Sequence, residues 1–257
     1  MTDSDLTRRD FVSRSIAAGS TALAAGTLPI PALHGEPAAA TLSVVCVGAH
    51  PDDPESGCAG TLARYAAAGH TVTIVYLTRG ERGIDGKGLD ESARIRTAES
   101  EAACRIIGAT PVFFGQIDGA TEVTRAHIDA MTTLVRARKP DVLLTHWPVD
   151  THPDHQVASM LATRAWMALR TPRLYYFEVN AGSQTEGFHP NAYVDITSVV
   201  DQKKKALFAH VSQDGIGIWR EHHEPMASWR GRETGVAWAE GFYHVSRGAG
   251  GDDLPQI

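Results

Sequence analysis

The feature that most constrains this chain is the run Val47-Gly48-Ala49-His50-Pro51-Asp52-Asp53-Pro54-Glu55-Ser56-Gly57, where an apolar stretch stops abruptly in a knot of ionisable side chains. Residues 41–49 are rich in β-branched and small apolar side chains and read as a buried strand. Pro51 biases His50 away from helical angles and Pro54 does the same to Asp53, so one imidazole and two carboxylates are held in a tight bend past the strand end. Residues 57–68 are Ala-rich and stop at Gly69, the pattern of a helix with a glycine stop. Strand, polar bend and helix is how an open α/β sheet builds a site, because ligands lie beyond the carboxyl ends of its strands. Adjacent acids beside a histidine repel one another and lose solvation on folding, and a divalent cation compensates both costs.

The rest of the chain alternates. Residues 71–78 read as a second strand, which leads into the loop Arg79-Gly80-Glu81-Arg82-Gly83. Strands are predicted at 111–114, 141–145 and 174–177, and amphipathic helices at 91–107, 124–139 and 155–169. Such alternation predicts an α/β fold with a doubly wound, mostly parallel sheet in a single domain. After Gly182 the rhythm weakens to an edge strand at 193–196, a helix at 201–210 and a Gly- and Trp-rich remainder.

The amino terminus reads as an address label. Thr7-Arg8-Arg9-Asp10-Phe11-Val12 precedes a mildly apolar stretch at 16–30 and the small-residue run Pro37-Ala38-Ala39-Ala40. Paired arginines, a modest apolar region and an A-x-A site predict a twin-arginine export signal over 1–40. That reading makes the twin-arginine translocase a partner during export, places the mature domain at 41–257, and sends it to the periplasm or beyond. The chain is 43% hydrophobic and 21% charged with a formal net charge of −6, so no basic face for nucleic acid is expected. Past the signal no apolar run reaches the ~20 residues of a membrane span. The three cysteines, Cys46, Cys58 and Cys104, form no CxxC pair and read as buried thiols.

A second knot, Thr145-His146-Trp147-Pro148-Val149-Asp150-Thr151-His152-Pro153-Asp154-His155, also follows a strand end and is expected to face the first across the same sheet edge. His50, Asp53 and His155 supply two imidazoles and one carboxylate, a set that leaves cation positions open for water and substrate, as catalytic zinc requires. Asp52 then suits a general base. His152 suits stabilising an oxyanion and protonating a departing amine, and Asp154 suits orienting a histidine. Spacing alone leaves open which of Asp52 and Asp53 takes the metal, and which of His152 and His155 does. Glu221-His222-His223-Glu224 is expected in an extended loop where neighbouring side chains diverge, so it is not read as a second metal site. Lys203-Lys204-Lys205 reads as a solvated helix face; Trp147 is the tryptophan nearest the motif, and Trp219, Trp229 and Trp238 read as packing.

Ala49-His50-Pro51-Asp52-Asp53 with Gly57-Cys58-Ala59-Gly60-Thr61, followed by His152-Pro153-Asp154-His155, resembles the signatures of the PIG-L/LmbE-like zinc-dependent de-N-acetylases. That family includes the N-acetylglucosaminyl-phosphatidylinositol deacetylases and the sugar deacetylases of mycothiol and bacillithiol synthesis. The likeness runs from Leu42 to about Phe208 and takes in Leu77-Thr78-Arg79-Gly80-Glu81 and Arg96-Thr97-Ala98-Glu99. It implies a Rossmann-like sheet, with His50, Asp53 and His155 as ligands of Zn2+ and Fe2+ as the alternative ion. It further implies Asp52 as general base, His152 as the oxyanion-stabilising acid with Asp154 orienting it, Arg96 against the sugar, and Glu81 in a substrate loop. The implied reaction removes the N-acetyl group of an N-acetylated amino sugar or glycoconjugate and releases acetate. Pro54 departs from the common form, which has Glu directly after the paired Asp, and Glu55 comes one position later. An export signal is also atypical of the cytoplasmic thiol-pathway members. Two rivals share the ligands: a non-catalytic carbohydrate-binding protein, and a non-haem iron(II) oxygenase. Binding alone needs no base or acid, and the oxygenases usually show His-x-Asp on a β-rich fold.

Overall fold

Runs of β-branched, apolar and aromatic residues put the parallel strands where they are expected. In the computed structural model, which describes residues 40–246, β1 spans Ser43–Gly48 and β2 Thr71–Tyr76. They are joined by β3 (Thr110–Phe113), β4 (Val142–His146) and β5 (Arg173–Phe177), all parallel. Two further strands, β6 (Ala192–Asp195) and β7 (Ala239–His244), complete a seven-stranded sheet of order β3-β2-β1-β4-β5-β7-β6. β7 runs antiparallel to both of its neighbours, β5 and β6. The chain winds outward from β1 through β2 to β3, then returns to β4 on the other side of β1. This reversal of strand order leaves a crevice at the carboxyl ends of β1 and β4.

Side chains alternate across the sheet, and both faces are covered. Val44, Cys46 and Ile74 join one apolar cluster with Leu62 and Tyr65 of α1 (Asp53–Ala67), Ile107 of α2 (Leu89–Ile107) and Leu207 of α5 (Val200–Phe208). Val45, Val47 and Val75 join the other with Met131 of α3 (Arg125–Ala137) and Leu161 of α4 (Pro153–Leu169). Truncating a fully buried leucine of either layer, Leu62 or Leu161, to alanine costs about 2–5 kcal/mol. The fold is the doubly wound, mostly parallel α/β sheet expected. Among the described residues no helix is long and apolar enough to cross a membrane, and all three cysteines are free and buried. The segment read as an export signal lies, up to residue 39, outside the described residues.

Several local readings change. α1 starts at Asp53 rather than at residue 57, because Pro54, with its fixed φ and missing N–H, suits the first helical turn. Inside α1 the backbone breaks at Cys58 (φ −148°, ψ 15°), and the Gly60 and Thr61 amides donate to Glu240 on β7 at 2.9 and 2.7 Å. A Cβ on Gly60 would meet Ile196 at 2.7 Å, so only glycine admits this approach. Lys203 is not solvated: it is buried, and its Nζ reaches Glu240 Oε1 at 2.5 Å and the Ser56 carbonyl at 2.6 Å. Past the short α6 (Gly215–Ile218), residues Trp219–His223 form a π-helical turn that feeds α7 (Glu224–Thr234), with Pro225 in its first turn. Glu221-His222-His223-Glu224 is therefore helical, not extended.

Candidate metal centre and active site

β1 and β4 are neighbours, so the two knots open on one sheet edge. Each continues into a helix whose first turn carries proline and acid: Asp53-Pro54 in α1 and Pro153-Asp154 in α4. Both helix N-termini thus favour carboxylates at the same crevice. Asp53 stands between two imidazoles, with Oδ2 at 3.1 Å from His50 Nδ1 and Oδ1 at 3.2 Å from His155 Nε2. Each ring turns its other nitrogen to a further acid. His50 Nε2 lies 3.1 Å from Asp154 Oδ2 and 3.3 Å from Asp118 Oδ1, and His155 Nδ1 lies 3.1 Å from Asp150 Oδ1. A metal-ligating histidine usually gives its second N–H to a carboxylate in this way, which fixes the tautomer. The His50 and His155 ring centroids are 5.3 Å apart. Ligand-capable atoms of His50, His152 and His155 lie within 4.8 Å of one another, as do those of Asp53, His146 and His155.

Charge follows geometry. Burial works to raise the Asp53 pKa, but the charges of His155, His50 and His146 outweigh it and hold the carboxyl well below its ordinary range. Burial works to lower His50, yet the Asp53 charge and hydrogen bonds with Asp118 and Asp154 carry it well above the usual histidine value. His155 is pushed up to about 9, burial being outweighed by Asp53 and Asp150. The acids around them thus favour the protonated forms of both histidines. Two imidazoles with one carboxylate fit Zn2+ or Fe2+ and leave coordination positions free.

His146 shares the cluster, but a backbone amide occupies the nitrogen it turns towards Asp53. Its Nε2 accepts the Ala49 amide at 3.0 Å, and burial followed by the His155 charge lowers its pKa to about 4. It stacks on His155 from beneath the cavity lining, with centroids 4.3 Å apart. His152 caps α4 by accepting the Asp154 amide at Nδ1 (3.2 Å), so a neutral ring carries its proton on Nε2. Burial and then the charges of His50 and His155 lower the His152 pKa and favour that neutral ring.

Asp52 sits at φ 109°, ψ −28°, a conformation that costs a non-glycine residue about 1–3 kcal/mol. Its Oδ2 is 3.1 Å from Arg96 Nη2, and its amide donates to Glu55 Oε2 at 3.2 Å. Burial raises the Asp52 pKa and the Arg96 charge offsets part of the rise. Asp52, His152 and the Asp53 cluster all line one cavity of about 690 Å³, a size suited to a small-molecule site. A second cavity of about 660 Å³ shares Asn180, Ser183 and His222 with it and is bordered by Met226 and Trp229. Trp229 is exposed rather than packed away, whereas Trp147 packs against Tyr176, Phe188 and Tyr243 and lines neither cavity.

A family model described as GlcNAc-PI de-N-acetylase (PIG-L) matches residues 45–166, the span that holds both knots. The diacetylchitobiose deacetylase of Thermococcus kodakarensis is 30% identical over 222 residues, covering 79% of this chain and 82% of that protein. This chain belongs to the PIG-L family. The crystal structure of a conserved protein from Thermus thermophilus, TT1542, is similar too, at 32% identity and a TM-score of 0.68, covering 79% of this chain and 94% of that one. PIG-L likeness is not confined to one reaction: the 4-oxalmesaconate hydratase of Pseudomonas putida is 28% identical over 79% of this chain and 86% of its own length.

Of the residues that match the PIG-L signatures, His50, Asp52, Asp53, Arg96, His152 and His155 gather on the main cavity. The Asp154 carboxylate does not face His152. It meets His50 and accepts from the Gly119 amide (2.8 Å) and the Thr121 hydroxyl (2.7 Å), because the start of α4 turns it towards the 116–121 loop. Glu81 does not line the cavity; its carboxylate accepts the amides of Arg79 and Asp118 and so braces the loop from inside. Arg96 is buried, with its guanidinium on Pro51 and Asp52. Asp118 and Asp150, which meet His50 and His155, carried no motif: Asp118 precedes Gly119 and reads only as a turn.

Proposed function

We propose that this chain is a metal-dependent hydrolase that removes the acetyl group from the nitrogen of an N-acetylated amino sugar or glycoconjugate, working outside the cytoplasm after twin-arginine export. The single observation that carries the reading is that Asp52, His152 and the Asp53 cluster line one cavity: a carboxylate free of the cluster and a neutral imidazole flank a cation-ready donor set. His50, Asp53 and His155 would hold the ion, zinc by donor preference. Bound there, a divalent cation supplies Lewis acidity towards the acetyl carbonyl and lowers the pKa of a water molecule.

The chain's own groups do the rest. Asp52 accepts a proton from the attacking water as its oxygen bonds to the acetyl carbon. The Nε2–H of His152 donates to the oxyanion of the tetrahedral intermediate. The C–N bond breaks as Asp52 returns its proton to the departing nitrogen, so acetate and a free amine leave and the carboxylate is restored. A neutral His152 suits the donor's part better than the acid's, and the proton is assigned to Asp52 for that reason. The cavity beside Met226 and Trp229 gives room for the group the sugar is joined to.

The test is an acetate-release screen of the zinc-loaded protein against N-acetylglucosamine conjugates, chito-oligosaccharides and cell-wall fragments. Stoichiometric acetate and free amine support the reading. Sugar binding without acetate, or hydration of 4-oxalomesaconate with no acetate from any sugar, overturns it.

A further inference from the structure

Trp229 stands on α7 with 58% of its surface exposed, while Ala227, Arg230 and Gly231 supply the buried side of that helix. One exposed apolar side chain needs no explanation by itself. Trp229, however, lines the second cavity beside Met226, and that cavity runs on from the main one, since Asn180, Ser183 and His222 line both. His222, Met226 and Trp229 follow at intervals of four and three, so they form one stripe along a helical stretch. Seven residues carry that stripe about 10 Å away from the main cavity.

The other wall is the loop after β5, and it is tied to the second knot. The Gln184 and Thr185 amides donate to the Asn180 carbonyl at 2.9 and 3.1 Å. The Thr185 hydroxyl donates to Asp150 at 3.1 Å, and the Thr151 amide donates to the Gln184 carbonyl at 2.9 Å. The side chains of Asn180 and Ser183 have no hydrogen-bond partner among the described residues. Arg230 is the one arginine or lysine among the residues that line this cavity, and it is spent. Its Nε and Nη2 go to Glu178, both at 2.7 Å, and its Nη1 to Glu233 at 2.9 Å. Glu221, also in the lining, pairs with Arg220 at 3.1 Å.

We propose that Trp229 is a specificity-determining residue for a second, uncharged sugar ring, joined to the acetamido sugar that occupies the main cavity. The proposal rests on the deacetylase reading above and names the class of its substrate. A pyranose has an apolar face of C–H bonds and a rim of hydroxyls; Trp229 with Met226 meets the face, and Asn180 with Ser183 meets the rim. A phosphate would find no free cation here and would meet the Glu221 carboxylate.

The experiment compares N,N'-diacetylchitobiose with the methyl glycoside of N-acetylglucosamine on the metal-loaded full chain. The ratio of their kcat/KM values should fall about 3–10-fold in Trp229→Ala, the worth of one aromatic stacking contact, and largely survive in Trp229→Phe. A disaccharide whose second ring carries a phosphate should be about tenfold poorer than the neutral one. An unmoved ratio overturns the proposal, whether both rates hold or both fall together. A preference for the phosphorylated ring overturns it too. So does an oligomer lost in Trp229→Ala at constant ratio, because a second copy then covers the tryptophan. If no sugar releases acetate, calorimetric titration of the same two sugars reads the ratio in Kd, and failure to bind the disaccharide overturns the proposal. Acetate release with an unmoved ratio strikes the Trp229 proposal alone; a Kd ratio that moves without acetate strikes the deacetylase reading alone.

Discussion

Two regions of this molecule bury carboxylates, and the groups that neutralise them differ. Beside α1, Glu240 meets Lys203 Nζ at 2.5 Å and the Thr61 hydroxyl at 2.6 Å, and Glu178 takes Arg230 through Nε and Nη2, both at 2.7 Å. At the strand tips, the ion pairs of Asp53, Asp118, Asp150 and Asp154 are all with histidines. Lysine and arginine stay cationic across the physiological range, so the first region is electrostatically complete as folded. An imidazole can give up its proton and become a ligand, so the second region is able to exchange protons for a metal ion. Around Glu240 and Glu178 permanent cations complete the charge balance; around Asp53 the histidines leave a donor set able to bind.

The largest effect expected from this contrast is at the strand tips. His155→Ala and Asp53→Ala should take metal content from about one ion per chain to near zero and abolish acetate release, read by elemental analysis and turnover. Asp52→Asn should keep the ion and lose about 10³ of kcat, within the usual range for a general base; near-normal turnover with the ion in place would remove Asp52 from its role. On the other side, Lys203→Met leaves Glu240 buried and unpaired. It should lower stability by about 3–5 kcal/mol in denaturant titrations without weakening metal binding in the folded fraction, and adding Glu240→Gln should recover part of the loss. Loss of metal affinity in the folded Lys203→Met protein would merge the two regions.

The smallest effect is on pH. His50 lies well above the usual histidine value and His155 near 9, so both hold protons in the apoprotein at pH 7 and must lose them to ligate. Metal affinity should therefore rise with pH, by about tenfold per unit for each proton displaced, and calorimetry in buffers of different ionisation enthalpy counts those protons. A raised histidine stabilises the fold below its unfolded value and loses that contribution as pH climbs through its folded one. The apoprotein should thus weaken between about pH 6.5 and 9, and bound metal should reverse the trend.

Much of this was legible in the residues. β-branched runs located β1 and β2, short apolar and aromatic runs located β3, β4 and β5, and the two His-Pro-Asp bends at neighbouring strand ends brought His50, Asp53 and His155 together. What escaped depends on contacts distant in sequence. Lys203 reads as solvated because lysine is almost never buried unpaired, and its partner Glu240 lies 37 residues away. β7, Ala239-Glu240-Gly241-Phe242-Tyr243-His244, has no β-branched residue to announce it. Pro54 reads as a bend and serves equally as a helix start. The close approach of Gly80 and Gly83 to the Arg96 guanidinium on α2 is likewise not displayed by spacing.

The most direct measurement is anomalous diffraction at the zinc absorption edge from crystals of the metal-loaded protein. The account predicts one peak at about 2.0–2.2 Å from Asp53 and from one nitrogen each of His50 and His155, with Asp52 and His146 uncoordinated. A peak held by Asp52 or His146 in place of Asp53 or His50, or no peak between the two knots, would contradict it.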